Sequence, residues 1–260
     1  MASYVDFPFE CGSERGTNIE QYSFKDLVYA AQVQRGLLPR KSIYLSNFQA
    51  GYHYAPAGLF SGDCCDIFES SEGLFFLLGD VAGKGIAASL LMSHLQATFR
   101  GLATADLSLS KMMEAANKIF VESAPDALFA TLVAGRIKRD GSVEFVNAGH
   151  PPVLHLGQTY VKFQGATGVP LGMFSDIHFP VHRLSLSPGE TLVLYTDGLT
   201  EACNFANQEF GMQRTRDSIA RCYGKNPSEL IFTCLSDLNS FSGAVRRVDD
   251  LTMLAIQRTD

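Results

Sequence analysis

Four short segments place aspartates where an apolar run starts or stops: Ser61-Gly62-Asp63-Cys64-Cys65-Asp66, Gly79-Asp80-Val81-Ala82-Gly83-Lys84-Gly85, Tyr195-Thr196-Asp197-Gly198 and Val248-Asp249-Asp250-Leu251. Asp80 and Asp197 end strongly hydrophobic strands, and Asp249-Asp250 opens another. Any one Asp-Gly at a strand end reads as a turn. Four in one chain raise a second reading, in which neighbouring strands bring several carboxylates to one edge. Like charges so placed raise one another's pKa unless a cation sits between them, and oxygen ligands match the hard ions Mg²⁺ or Mn²⁺.

Other chemistry is less well supported. Gly79-Asp80-Val81-Ala82-Gly83-Lys84-Gly85 is one residue short of a phosphate loop and has Gly85 where a hydroxyl residue is needed, although the helix start with Lys84 still suits an anion. Adjacent Cys64-Cys65 lack a Cys-x5-Arg cradle and read as small buried residues. His150, in the turn Asn147-Ala148-Gly149-His150-Pro151-Pro152, reads as structural, with general-acid work as its other option. Pro180 between His178 and His182 argues against a shared helical face and a zinc pair.

The elements that must position the carboxylates follow from periodicity. Leu27, Ala31, Gln34 and Leu38 mark one face of a helix over 23–38, stopped by Pro39. Residues 73–78 read as a buried strand stopping at Gly79-Asp80, and 85–100 as a helix apolar all round. A second helix is expected over 108–123, capped by Ser108 or Ser110. Strands over 129–137 and 142–147 meet at the hairpin turn Arg139-Asp140-Gly141. Further strands are expected at 152–156, 160–163, 180–185, 191–196 and 251–257, with a helix over 227–240 after Pro227. Hairpin-linked strands interrupted by paired helices describe an α+β layered sandwich with antiparallel sheets and helices outside.

Composition narrows the classes. The 260 residues carry 21 Lys+Arg against 27 Asp+Glu, a formal charge of −6, which argues against a nucleic-acid backbone as main partner. A hydrophobic share of 46% can fill a core. The six cysteines form no CxxC, no secretory signal is visible, and the apolar stretch Ile86–Phe99 is too short for a bilayer, so a reducing, cytoplasmic setting without a membrane role is expected. Residues 1–22 read as a flexible leader, 23–40 as an N-terminal linker helix, and 41–260 as one domain.

The ordered strings AQVQRGLLPR (31–40), SGDCCD (61–66), GDVAGKGIAASLLM (79–92), FATLVAGRI (129–137), NAGHPP (147–152), GVPLGM (168–173), PGETLVLYTDGLTEACN (188–204) and DDLTMLAI (249–256) resemble the SpoIIE-type bacterial branch of the protein phosphatase 2C superfamily, the metal-dependent serine/threonine phosphatases. The resemblance implies a four-layer αββα sandwich, two central antiparallel sheets flanked by helix pairs. It implies a two-ion Mn²⁺ or Mg²⁺ centre held by Asp63, Asp80, Asp197 and Asp249 with the Val81 carbonyl, while Asp66 and Asp250 match family aspartates without so definite a role. Ser61 and Cys64-Cys65 depart from the usual Gly-Gly-Asp and aromatic pattern, and Ala82 replaces the commoner Ser, which bears on pocket shape and substrate preference.

The implied function is a phosphoserine/phosphothreonine protein phosphatase acting on a phosphorylated signalling protein, an antagonist of an anti-sigma factor by analogy. The N-terminal helix then either packs on the domain, pairs with a second copy as a homodimer, or relays a signal from an upstream sensor. A catalytically silent phosphoprotein-binding module and a small-phosphoester hydrolase are the alternatives.

Overall fold

The structure, a computed structural model, describes residues 19–39, 42–45, 47–70, 73–125 and 128–260. The leader read from the sequence lies outside these as far as residue 18. Alternation within the strand Gly73–Val81 (β4) dictates the layering: Phe75 and Leu77 face one way, Leu74, Phe76 and Leu78 the other, and all five are buried. A strand apolar on both faces must be covered on both. β4 lies in an antiparallel five-stranded sheet of order β3-β4-β5-β6-β9, with β3 Asp63–Ser70, β5 Ala130–Lys138, β6 Ser142–Ala148 and β9 His182–Ser185.

A second antiparallel sheet has the order β1-β2-β11-β10-β7-β8, with β1 Ser42–Leu45, β2 Phe48–Ala55, β7 Val153–Leu156, β8 Val161–Gln164, β10 Thr191–Tyr195 and β11 Leu251–Arg258. Leu74, Phe76, Leu78, Val133 and Phe145 of the first sheet meet Leu192, Leu194, Leu254 and Ile256 of the second. The outer face of the first sheet is covered by α2 (Ile86–Leu102) and α3 (Leu109–Ser123) through Met92, Leu95, Phe99, Met113 and Phe120. The outer face of the second carries α5 (Gly211–Ala220) and α6 (Pro227–Ser242) through Ile219, Leu230, Ile231 and Leu238. The result is the expected four-layer αββα sandwich. Among the described residues no helix is long and apolar enough to cross a membrane.

Local chemistry explains the helix starts. Ser108 Oγ accepts from the Lys111 amide, so it is the first of the two candidate serines that caps α3. Asn226 and Glu229 form a capping box around α6, with Pro227 at its first turn. At the turn between β5 and β6, Gly141 has φ +89° and Asp140 accepts from the Ser142 amide.

Three features depart from the sequence reading. β4 continues through Asp80 to Val81, because Asp80 has ladder partners on both sides, Asp63 and Thr131. The helix read as apolar all round leaves Ile86 and Leu90 exposed, at 48% and 66%. β1, β2, β3 and α5 were not anticipated: the polar and aromatic mixture Phe48-Gln49-Ala50-Gly51-Tyr52-His53-Tyr54-Ala55 blurs the period of two.

The helix α1 (Ile19–Leu37) packs by the stripe expected for it, with Ala31 and Gln34 buried and Leu38, just past its end, against the layer between the sheets. Gln34 is paired with a backbone: its Nε2 donates to the Ser61 carbonyl at 2.6 Å and its Oε1 accepts from the Ser61 amide at 3.2 Å. The Gln96 amide of α2 donates to the Leu37 carbonyl at 2.7 Å.

An ion pair ties β3 to α2 through Asp66. Asp66 is 1% exposed and accepts from Arg100 Nε and Nη2 at 2.6 and 2.8 Å, while the guanidinium lies 4.8 Å from the Phe68 ring centre. Removing the arginine leaves a buried carboxylate without its counter-ion. We therefore expect Arg100→Ala to cost about 3 kcal/mol in chemical denaturation. Arg100→Lys should recover part of this, because the charge returns without the planar fork.

Candidate functional site

Antiparallel pairing brings the aspartates to one end of the sandwich. In the first sheet Asp63 opens β3 directly opposite Asp80 near the end of β4. In the second, β10 and β11 pair with Tyr195 opposite Met253, so Asp197 leaves β10 where Asp249 and Asp250 enter β11. The two ends are joined by hydrogen bonds across the sheets. Thr196 Oγ1 donates to Asp63 Oδ2 at 3.1 Å, and Thr252 Oγ1 donates to the same oxygen. Thr196 and Thr252 also bond to one another through backbone and side chain.

Close backbone approaches shape the surrounding loops. A Cβ on Gly62 would lie 2.9 Å from the Val81 carbonyl oxygen and 3.1 Å from an Asp80 carboxylate oxygen. One on Gly198 would lie 1.9 Å from the Asp250 carbonyl oxygen. Both positions therefore require glycine. Asp250 turns its carboxylate away from chemistry and towards structure, accepting from the amides of Ala57 at 2.7 Å and Gly62 at 3.0 Å. Gly83 and Gly85, at φ +99° and +78°, reverse the chain before α2 and present Lys84. Its ammonium lies 3.1 Å from Asp249 Oδ2 and donates to the Val248 carbonyl at 2.9 Å.

Electrostatically the cluster is unbalanced. Burial, and then repulsion from Asp197, Asp249 and Asp250, pushes Asp80 up to about 7, with Lys84 opposing. Burial and Asp249 raise Asp197, and burial with Asp80 raises Asp63 against the help of its two threonines. Glu201, in the turn after the short helix α4 (Asp197–Thr200), is raised by burial and Asp197.

Among the described residues no three His, Cys, Asp or Glu side chains close round one point. The donors nevertheless fit hard divalent cations. They are oxygens, they repel one another, and the Val81 carbonyl stands beside Asp80 over a cradle that a Cβ at Gly62 would fill.

Sequence reasoning singled out Asp63, Asp80, Val81, Asp197 and Asp249, and these occupy one end of the fold. It missed Thr196, Thr252 and Glu201. The first two stand one residue from a flagged aspartate in Tyr195-Thr196-Asp197 and two from one in Asp250-Leu251-Thr252, so a buried hydroxyl beside a buried acid was the available signal.

The residues read as structural behave so. His150 is buried, its Nδ1 is 2.9 Å from Thr131 Oγ1, and burial lowers it to about 3, so it is neutral at physiological pH. Burial holds the Cys64 and Cys65 thiols well above their ordinary range, the opposite of a thiolate nucleophile. His178 meets Glu114 at 2.9 Å on the surface, and His182 stacks on Phe145.

Comparison with known proteins is consistent with this architecture. The family model described as Stage II sporulation protein E (SpoIIE) matches residues 70–259. Protein IcfG of Synechocystis sp. is 27% identical over 263 residues, covering 90% of this chain and 41% of IcfG. The phosphoserine phosphatase RsbU of Bacillus subtilis is 26% identical over 246 residues, covering 92% of this chain and 72% of RsbU. The chain thus spans less than half of IcfG. The SiaA-PP2C domain of Pseudomonas aeruginosa has the same fold, with a TM-score of 0.80 at 21% identity, covering 95% of this chain and all of that domain.

The raised acid at position 80 has a measurable consequence for stability. Between its ordinary value of 3.8 and about 7 the folded chain holds a proton there that the unfolded chain has lost. Asp80 therefore makes stability fall as pH rises through that window, by on the order of 4 kcal/mol. In chelator, Asp80→Asn should be more stable than the unaltered chain at pH 8, and the difference should shrink at pH 4. Thermal unfolding at both pH values checks this.

Proposed function

The chain belongs to the SpoIIE family, and on that premise we propose that it is a metal-dependent phosphoserine/phosphothreonine protein phosphatase. One observation carries the reading: Asp63, Asp80, Asp197 and Asp249 converge from two sheets on one end, in a cluster whose mutual repulsion calls for cations. In this reading those four carboxylates and the Val81 carbonyl hold two Mn²⁺ or Mg²⁺ ions. When bound, such ions supply an activated water and offset charge on the phosphoryl oxygens.

The chain's own residues do the rest. Thr196 and Thr252 hold Asp63 in one orientation, and Asp250 fixes the 57–62 loop through two amides. Gly62 and Gly198 let backbone approach where any side chain would intrude. Lys84 offsets charge at Asp249 and can face an incoming phosphate from the start of α2. With His150 neutral and both buried cysteines protonated, no covalent nucleophile is assigned.

The substrate in this reading is a phosphorylated signalling protein. RsbU, a relative of which the chain covers the greater part, is named a phosphoserine phosphatase, which supports phosphoserine as the group hydrolysed. Regulation of a sigma factor, through an antagonist of an anti-sigma factor, is the biological setting implied by the family resemblance. Phe24, Tyr29 and Val33 stand exposed on α1, a surface suited to a second copy or an upstream regulator.

The test is phosphate release from a phosphoserine protein and from an aryl phosphate, with and without Mn²⁺. Activity should require the metal, and Asp80→Asn or Asp197→Asn should lose on the order of a hundredfold or more. Full activity in either variant would sink the mechanism. Calorimetry showing no divalent-metal binding would favour a silent phosphoprotein-binding module.

A further inference from the structure

A cavity of about 280 Å³ opens beside the carboxylate cluster, between α4 with its following turn and the connection from α6 to β11. One end belongs to the site already described, because Gly198, Glu201 and Asp249 line it. The other wall differs in character: Arg246 and Arg247 are exposed along it, and Ser242 closes it from the last position of α6.

Two of these groups have polar capacity to spare. Ser242 is only 8% exposed, and its Oγ is enclosed without a hydrogen-bond partner among the described residues. A hydroxyl so placed is stabilised by any acceptor that reaches it. Arg246 has neither an ion pair nor a hydrogen bond among the described residues. Arg247 is partly committed, with Nη1 3.5 Å from the Ala55 carbonyl oxygen.

We propose that this cavity receives an acidic side chain of the phosphoprotein substrate, close in sequence to the phosphoserine, with Arg246 as its counter-ion and Ser242 as a hydrogen-bond donor. The proposal rests on the phosphatase reading and adds a sequence preference to it. Polarity supports it: Glu201 and Asp249 repel a carboxylate from the shared end, which leaves the Arg246 end as the place where it can settle. Size supports it too, since the volume lies just below the roughly 300–1,000 Å³ typical of small-molecule sites and suits a side chain. A guanidinium binds carboxylate in a planar fork that a lysine cannot reproduce.

The experiment compares two phosphoserine peptides, identical except for glutamate or lysine at the flanking positions, with an aryl phosphate as the substrate without flanks. The kcat/KM ratio should favour the glutamate peptide by about tenfold, as expected for a charge-assisted pair. Arg246→Glu should reverse that ratio by raising activity on the lysine peptide, a gain that a misfolded variant cannot show. Arg247→Glu should move it less. Equal rates on both peptides, an unchanged ratio in Arg246→Glu, or equal shifts in both arginine variants would overturn the assignment.

If Mn²⁺ supports hydrolysis of neither peptide nor aryl phosphate, the phosphatase reading fails, and fluorescence anisotropy with the same peptides judges the cavity alone. Tighter binding of the glutamate peptide that Arg246→Glu abolishes would uphold it. Indifference to the flanks would overturn it.

Discussion

The structure turns on one buried carboxylate. Asp63 belongs to the first sheet, but the two hydroxyls that satisfy its Oδ2 come from Thr196 and Thr252 of the second. Elsewhere the sheets meet through leucine, isoleucine, valine and phenylalanine, whose contacts are strong in sum and weak in direction. A buried acid is far more exacting, because leaving it unpaired is costly. The three-residue contact thus sets how the ends of the two sheets line up, at the end where the remaining acids gather.

Around that contact the chain accepts local instability in return for a charged surface. Raised values at Asp80 and Asp197 mean that burial and repulsion oppose their ionised forms. The compensations lie close by. Asp250 anchors a loop through two amides, Lys84 partners Asp249, and Gln34 clamps the Ser61 backbone just ahead of Asp63. Such a concentration of unfavourable charge in an otherwise well-packed sandwich is the signature of a site shaped by function. The formal charge of −6 is therefore best understood by location, since six aspartates, at 63, 66, 80, 197, 249 and 250, stand in the segments that build this region.

The core strands and the aspartates at their ends were readable from residue patterns, because both are short-range signals, whereas the gathering of Asp63, Asp80, Asp197 and Asp249 into one site was implied by the family resemblance. β4 carries the apolar run Leu74–Leu78 and β11 the run Met253–Ile256, and α3 and α6 begin with recognisable caps. β2 was hidden because tyrosine and histidine occupy positions that half-face solvent, and its identity as a strand comes from pairing with β11. Ile86 and Leu90 looked like core and are exposed, since hydrophobicity marks which residues can be buried and the neighbouring layers decide which are. The joining threonines left only a weak trace, a hydroxyl near an acid, because their role is acquired only when the other sheet supplies Asp63.

The strand order carries a consequence for synthesis. β11 lies between β2 and β10, so the second sheet remains two separate pieces until β11 exists. β2 must wait for a partner made roughly two hundred residues later. At the usual translation rate of about 5–20 residues per second, that is a delay of roughly 10–40 s. During that interval the edge of β2 is unpaired, and Asp63 lacks Thr252. The acid cluster therefore cannot assemble piecemeal: its charges come together only as β11 pairs between β2 and β10, and until then the open edge of β2 is the sheet's point of exposure to wrong partners.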